Sequence, residues 1–117
     1  MQKPVVLKQN SDFHRCYGRG KSVISPLLVT YAVKNRGQGV RIGITATKKL
    51  GCAVERNRCR RIIRAAYMPL SESCRGNFDI VFVARHKTKR AKSTDILPVM
   101  RQHLEKLNIY AGPKAKK

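Results

Sequence analysis

In "VRIGITA" (40–46) apolar and polar positions alternate without a break: Val40, Ile42, Ile44 and Ala46 against Arg41, Gly43 and Thr45. A period of two predicts a strand with the first set facing a core and the second facing out. "LLVTYAV", inside residues 22–34 and opened by Pro26, is rich in strand formers, and "NRGQG" (35–39) is a turn. The two runs are expected to pair as an antiparallel hairpin. A third strand is expected over "NFDIVFVA" (77–84).

Between the strands the period lengthens to that of a helix. "SDFHRCYGRG" predicts a short one, with Ser11 as N-cap, Phe13, Cys16 and Tyr17 on one face, and Gly18 or Gly20 as terminator. A second is expected from about Ala53 to Met68, stopped by Pro69. A third is expected over "STDILPVMRQHLEKLNIY" (93–110), capped by Ser93 or Thr94, with Ile96, Leu97, Met100, Leu104 and Leu107 at helical spacing. Pro98 fits it only in a first turn, which blurs that boundary. "TKKLG" (47–51) and "RHKTKRAK" (85–92) are basic connections, and residues 111–117 a basic tail. The order α-β-β-α-β-α describes a single α+β domain over residues 1–117, an α-β sandwich with helices packed on a sheet.

The middle helix carries two opposed faces. With residues placed at intervals of about 100°, Cys59, Ile62, Ile63, Ala66 and Leu70 fall in one sector, the wall expected to face the sheet. Asn57, Arg60, Arg61 and Arg64 lie opposite, with Arg56 and Arg58 on the flanks. Arg56, Arg60 and Arg64 stand four apart with no acid between them, a spacing at which like charges destabilise a helix. A merely solvated face mixes signs. This one suits forked donors that meet phosphate oxygens two at a time.

Overall charge points the same way. The 117 residues hold 26 Lys and Arg against 6 Asp and Glu, a net charge of +20, which calls for a polyanionic partner. No apolar run approaches the roughly 18 residues of a membrane span, and the N-terminus lacks the apolar core of a secretory signal, so a cytoplasmic protein without a membrane partner is expected. The four cysteines have no CxxC spacing and the three histidines are scattered, which predicts free thiols and no metal site.

Catalytic groups are scarce. The acids Asp12, Glu55, Glu72, Asp79, Asp95 and Glu105 are isolated singles, a poor supply for a metal-dependent nuclease. No active site in the protein and no small-molecule substrate is expected. Helix-turn-helix spacing and heptads, the usual company of a DNA-reading helix, are missing. RNA recognition adds aromatic stacking, for which Phe13, Tyr17 and Tyr31 are candidates; spacing alone leaves core packing open for each. A structural RNA-binding protein of the ribosome and a DNA-binding regulator stand as alternative readings.

"KKLGCAVERNRCRRIIRAAY" (48–67) resembles the signature of the bacterial ribonuclease P protein family: a basic pair, a glycine, Ala-Val, then Arg-Asn-Arg with further arginines. "SDFHRCYGRGKS" (11–22) is similar to that family's N-terminal segment, and "FDIVFVAR" (78–85) to its late strand. The resemblance implies a fold like a ribosomal protein S5 domain, with a left-handed crossover into the arginine-rich helix. It also implies a subunit of a ribonucleoprotein that removes 5′ leaders from precursor tRNA, with catalysis by an RNA subunit using Mg²⁺. Carried onto this chain, Lys48, Lys49, Arg56, Asn57, Arg58, Arg60, Arg61 and Arg64 would dock on the catalytic RNA. Phe13, Tyr17 and Tyr31 would form the cleft for the single-stranded leader. Pro98 and the short tail depart from the family pattern without touching the motif.

With +20 on so small a chain, folding should be loose at low salt, and sulfate or phosphate should tighten it by occupying the arginine sites. Circular dichroism should show helix content and Tm rising with sulfate at constant ionic strength. Identical curves in sulfate and chloride would refute specific occupancy.

Overall fold

A computed structural model describes residues 5–7 and 9–110, so the basic tail expected at 111–117 lies outside the described residues. Three helices and five strands follow in the order β1 (Val5–Val6), α1 (Asn10–Arg19), β2 (Lys21–Ile24), β3 (Leu28–Lys34), β4 (Val40–Thr45), α2 (Ala53–Tyr67), β5 (Phe78–Ala84) and α3 (Ser93–Lys106). The α+β sandwich is present, with two strands more than the sequence pattern predicts.

The first of these, β1, is two residues long, too short to show a period. The second, β2, reads as one run with β3 in the pattern of residues 22–34. Ser25, Pro26 and Leu27 break that run: the Ser25 N–H donates to the Leu28 carbonyl at 2.9 Å, closing an antiparallel pair of β2 with β3.

All five strands form one sheet in the order β1-β4-β5-β3-β2. The expected β3–β4 hairpin is therefore absent. β5 comes between them, antiparallel to β3 and parallel to β4, with α2 as the crossover joining β4 to β5. β5 prevails because, apart from Asp79, it is apolar on both faces, which suits a central strand covered on both sides. Ile80, Phe82 and Ala84 enter the larger core under α2 and α3, while Val81 enters a smaller one under α1 with Leu7 and Cys16. Burying Ile80 and Phe82 completely stabilises the fold by about 1.5–3 kcal/mol each.

Both faces of the sheet are thus covered, and the expectation that Arg41, Gly43 and Thr45 face solvent does not hold. α1 lies over them. Its N-terminus also differs: Gln9 occupies the cap position, and Ser11 sits inside the helix with its hydroxyl donating to Gln9 Oε1 at 3.4 Å. Gly20 ends α1, where a Cβ would meet the Cys16 and Ala32 carbonyl oxygens at 2.4 and 2.6 Å. α2 ends within one residue of expectation, and Cys59, Ile63, Ala66 and Leu70 are buried as the helical period requires, with Ile62 half-buried. α3 is capped by Lys92 rather than Ser93 or Thr94, its N–H donating to Asp95 Oδ2 at 2.9 Å. Pro98 lies in its second turn, not its first. The bond it forgoes is that to the Thr94 carbonyl, and both residues are exposed, so water can replace it.

What fastens α1 to the sheet is a buried carboxylate. Asp79 of β5 accepts from Arg41 Nε and Nη2 at 2.8 Å each, from Asn35 Nδ2 at 2.9 Å and from Arg15 of α1. Asp12, also on α1, lies 3.7 Å from Arg41. Burial alone would raise the Asp79 pKa, but the hydrogen bonds from Arg41, Asn35 and Arg15 and the charge of Arg41 outweigh it and hold the carboxyl below its usual 3.8. A depressed folded-state pKa stabilises the fold above pH ~4, and that contribution fades as pH falls towards the folded value. Replacing Asp79 by Ala should cost about 3–5 kcal/mol in urea unfolding at neutral pH, because two arginines lose their buried counter-charge. The deficit should shrink as pH falls below ~4, where the unfolded wild-type carboxyl takes up a proton before the folded one does. A deficit constant down to acid pH would show that the charge is not what matters.

Candidate nucleic-acid interface

α2 presents its arginines because its other wall is consumed by the core. Asn57, Arg58, Arg61 and Arg64 are exposed, and Arg56 and Arg60 half-buried. Among the described residues none of these arginines is in an ion pair. The one acid on the helix, Glu55, is engaged elsewhere: it accepts from the Cys52 N–H at 3.2 Å at the helix start and lies 3.8 Å from Lys89. The stripe is braced by neutral acceptors instead. Arg60 donates to Asn57 Oδ1 at 2.9 Å and reaches the Ala46 carbonyl at 3.5 Å, while Arg58 Nε donates to the Lys89 carbonyl at 3.2 Å. These contacts orient the guanidiniums and leave their charge uncancelled.

Lys48 and Lys49 form a short 3-10 helix with Leu50 at the entry to α2, both exposed. Gly51 turns the chain into α2 with φ +136°, where a Cβ would stand 1.8 Å from Glu55 Oε1. What seats this entry leaves no signal in the sequence pattern. The basic connection after β5 folds into a 3-10 helix, His86–Arg90, whose Lys89 Nζ donates to the Leu50 carbonyl at 2.6 Å. Thr88 anchors it from inside, donating to the Leu27 carbonyl at 2.7 Å.

The three candidate aromatics gather over the other face of the sheet. Phe13 is half-buried, its ring lying where Gly43 has no side chain: a Cβ there would come within 2.6 Å of Phe13 Cε1 and Cζ. Tyr17 and Tyr31 make an edge-to-face pair with ring centroids 5.0 Å apart, and Tyr17 Oη hydrogen-bonds Thr45 Oγ1 at 2.8 Å. Tyr17 remains 38% exposed and Tyr31 half-buried. The alternatives left open by spacing resolve into a shared arrangement: Phe13 and Tyr31 pack partly on the α1-side core, and Tyr17 offers its ring to solvent.

The two sets meet at one place. A groove of about 290 Å³ beside the outer edge of β4 is lined by Phe13, Gly43 and Ile44 on one side and by Arg60, Arg61 and Arg64 on the other. β1 pairs with β4 only at Arg41 and Ile42, so among the described residues the edge beyond has no strand partner. Stacking ring, apolar floor and guanidinium rim are thus contiguous, the combination that single-stranded nucleic acid requires.

Among the described residues no cluster of three or more His, Cys, Asp or Glu could hold a metal, and the oxygens of buried Asp79 are committed to Arg15, Arg41 and Asn35. Cys16, Cys59 and Cys74 are buried free thiols, Cys16 pushed up to about 11 by burial and by the Asp79 charge. His103 is buried against Thr30 Oγ1 at 2.8 Å, and burial, with the nearby Lys106 charge, lowers its pKa. Among the described residues no helix is long and apolar enough to cross a membrane.

Comparison with known proteins gives a uniform result. The profile of the family described as Ribonuclease P matches residues 1–108. The ribonuclease P protein component of Clostridioides difficile (strain 630) is 44% identical over 91 residues, which is 77% of this chain and 80% of that protein. Its counterpart in Thermoanaerobacter sp. (strain X514) is 35% identical over 111 residues, 95% of this chain and 96% of that one. Among solved structures, the Staphylococcus aureus RNase P protein superposes with a TM-score of 0.80 at 31% identity, covering 92% of this chain and 99% of that chain. The Thermotoga maritima protein gives 0.66 at 27% identity, covering 86% and 92%. A chain with this fold, an unneutralised Arg-Asn-Arg helix and a family match across nearly its whole length belongs to the ribonuclease P protein family, the protein component of that holoenzyme.

Proposed function

We propose that this subunit docks on the catalytic RNA through Lys48, Lys49, Arg56, Asn57, Arg58, Arg60, Arg61 and Arg64, and holds the 5′ leader of precursor tRNA against Phe13, Tyr17 and Tyr31. The observation that carries this reading is the groove where Phe13 and Arg60, Arg61 and Arg64 line one space. A leader nucleotide seated there would stack on a ring while its phosphate meets guanidiniums that also face the catalytic RNA. Leader and ribozyme, two polyanions that repel each other, are then bridged by cations the protein has left unpaired.

Chemistry is assigned to the RNA subunit. Mg²⁺ would be held by RNA phosphates, since the protein's carboxylates are dispersed or already bonded to arginine. The protein's contribution is binding and orientation, and it should matter most when Mg²⁺ is scarce. The expected compartment is the cytoplasm, where precursor tRNA is processed.

Cleavage of a precursor tRNA by a bacterial ribonuclease P RNA at low millimolar Mg²⁺ should require this protein and yield the mature 5′ end, while protein alone cleaves nothing. No stimulation of an RNA shown active at high Mg²⁺ would overturn the assignment and favour a ribosomal role, in which precursor and mature tRNA bind alike. Replacing Arg60 and Arg64 by Ala should weaken binding to the catalytic RNA and flatten its log–log salt dependence by up to about 1 unit per lost contact. An unchanged slope would remove both from the interface.

A further inference from the structure

The 3-10 helix His86–Arg90 faces two ways. Towards α2 it is bonded into the entry of the arginine helix: Lys89 Nζ donates to the Leu50 carbonyl at 2.6 Å, and Arg58 Nε donates to the Lys89 carbonyl at 3.2 Å. Towards α3 it borders a groove of about 610 Å³, with Lys87 and Arg90 on the rim and Leu27, Ala91 and Pro98 as apolar lining. Both rim cations are exposed, and among the described residues neither is in an ion pair. Asp95, the acid in the lining, is tied to the Lys92 N–H at 2.9 Å and is outnumbered by Lys87, Arg90 and Lys92. With Thr94 it brings side-chain oxygens into the same space, acceptors for a ribose 2′-hydroxyl. An apolar lining under a basic rim suits an unpaired nucleotide, with a surface for the base and donors for its phosphates.

Position decides which RNA fits. Leu27 and Ala91 pack with the core under α2 and α3, whereas Phe13 and Tyr31 pack with the one under α1, on the opposite face of the sheet. A leader held by the aromatic cleft therefore has the sheet between it and this groove. The groove lies instead at the end of the sheet where α2 starts. Leu27 precedes β3, the 3-10 helix follows β5 and Lys48–Leu50 follows β4; β5 runs antiparallel to β3 and parallel to β4, so the three segments meet at one end. Thr88, buried and donating to the Leu27 carbonyl at 2.7 Å, pins the 3-10 helix there. Lys48, Lys49 and Arg58 on one side of it and Lys87 and Arg90 on the other are all exposed and form one cationic surface. RNA seated at the start of α2 has only to continue over Lys89 to reach the groove. A second copy of this chain is a poor occupant, since each copy carries +20 and would meet its like.

We propose that the Lys87–Arg90 groove is a second docking point for the catalytic RNA, seating an unpaired nucleotide with its base on Leu27 and Pro98 and its phosphates on the two cations. The proposal rests on that RNA docking along α2. The arginine stripe is a single line about which a bound RNA can roll. A contact off that line fixes how the RNA lies.

The experiment measures binding of the full-length protein to a bacterial ribonuclease P RNA, without tRNA, over a range of salt concentrations. Wild type is compared with K87A/R90A, the stripe variant R60A/R64A and R19A/K21A, which removes equal charge from exposed positions at the opposite end of the sheet. K87A/R90A should bind roughly tenfold more weakly with a salt slope flatter by up to about 2 units, and R19A/K21A within about twofold of wild type. Chemical probing of the bound RNA should show an unpaired stretch protected by wild type and exposed again with K87A/R90A, while the nucleotides covered by the stripe stay protected. Unchanged affinity of K87A/R90A, as a groove serving tRNA would give, overturns the assignment. So does an equal loss in R19A/K21A, which would reduce the effect to total charge, or an unaltered protection pattern. If R60A/R64A also binds with wild-type affinity and slope, the docking reading itself falls and takes this proposal with it.

Discussion

The buried carboxylate of Asp79 is the point on which the functional half of the molecule turns. It sits on the central strand with no exposed surface, and its charge is tolerable only because Arg15, Arg41 and Asn35 satisfy it. Those partners come from α1, β4 and the turn between β3 and β4, so one group sets the height and tilt of α1 above the sheet. Phe13 over Gly43 and Tyr17 on Thr45 are consequences of that placement. Without the clamp, Arg15 of α1 and Arg41 of β4 would meet between helix and sheet without the buried counter-charge they share.

The scarcity of acids acquires meaning in this light. Of the six, Asp79 and Asp12 face Arg41 beneath α1, Glu55 and Asp95 accept backbone N–H groups at the starts of α2 and α3, and only Glu72 and Glu105 have no such role. Among the described residues, four of the six acids thus organise the backbone or fill a buried need. What remains on the surface is nearly pure cation, held in position by carbonyls and an asparagine. A protein whose neutralisation comes from RNA can leave its surface so.

The arginine helix was legible in the sequence because its signals coincide: an unbroken 3.6-residue period, a proline stop and a one-signed face. Which residues of α2 would be buried followed from angle alone. The sheet was harder. β1 is too short for a period, Pro26 hides a turn inside what reads as one strand, and the pairing of β3 with β5 across the whole of α2 is a long-range choice that local patterns do not encode. A clue was present: an aspartate in the otherwise apolar "FDIVFVA" announces a buried partner, and the alternating strand containing Arg41 supplied it. The stripe and the aromatics were each recognisable as types, but their meeting at the β4 edge depends on the strand order and could not be read before it.

The insertion of β5 between β3 and β4 also bears on how the molecule comes apart. Every ladder linking the β2–β3 half to the β1–β4 half runs through these seven residues, late in the chain. The two halves can each be made early but cannot be joined until this strand arrives, which gives the topology a high contact order. Nor can they separate by degrees in the folded protein: an opening that frees β5 unpairs β4, which carries the floor of the Phe13 groove, and removes the anchor of α1 in a single event. Competence to hold RNA is therefore a cooperative, all-or-none property of the domain, and a chain truncated before β5 would carry the full arginine motif with nothing to aim it.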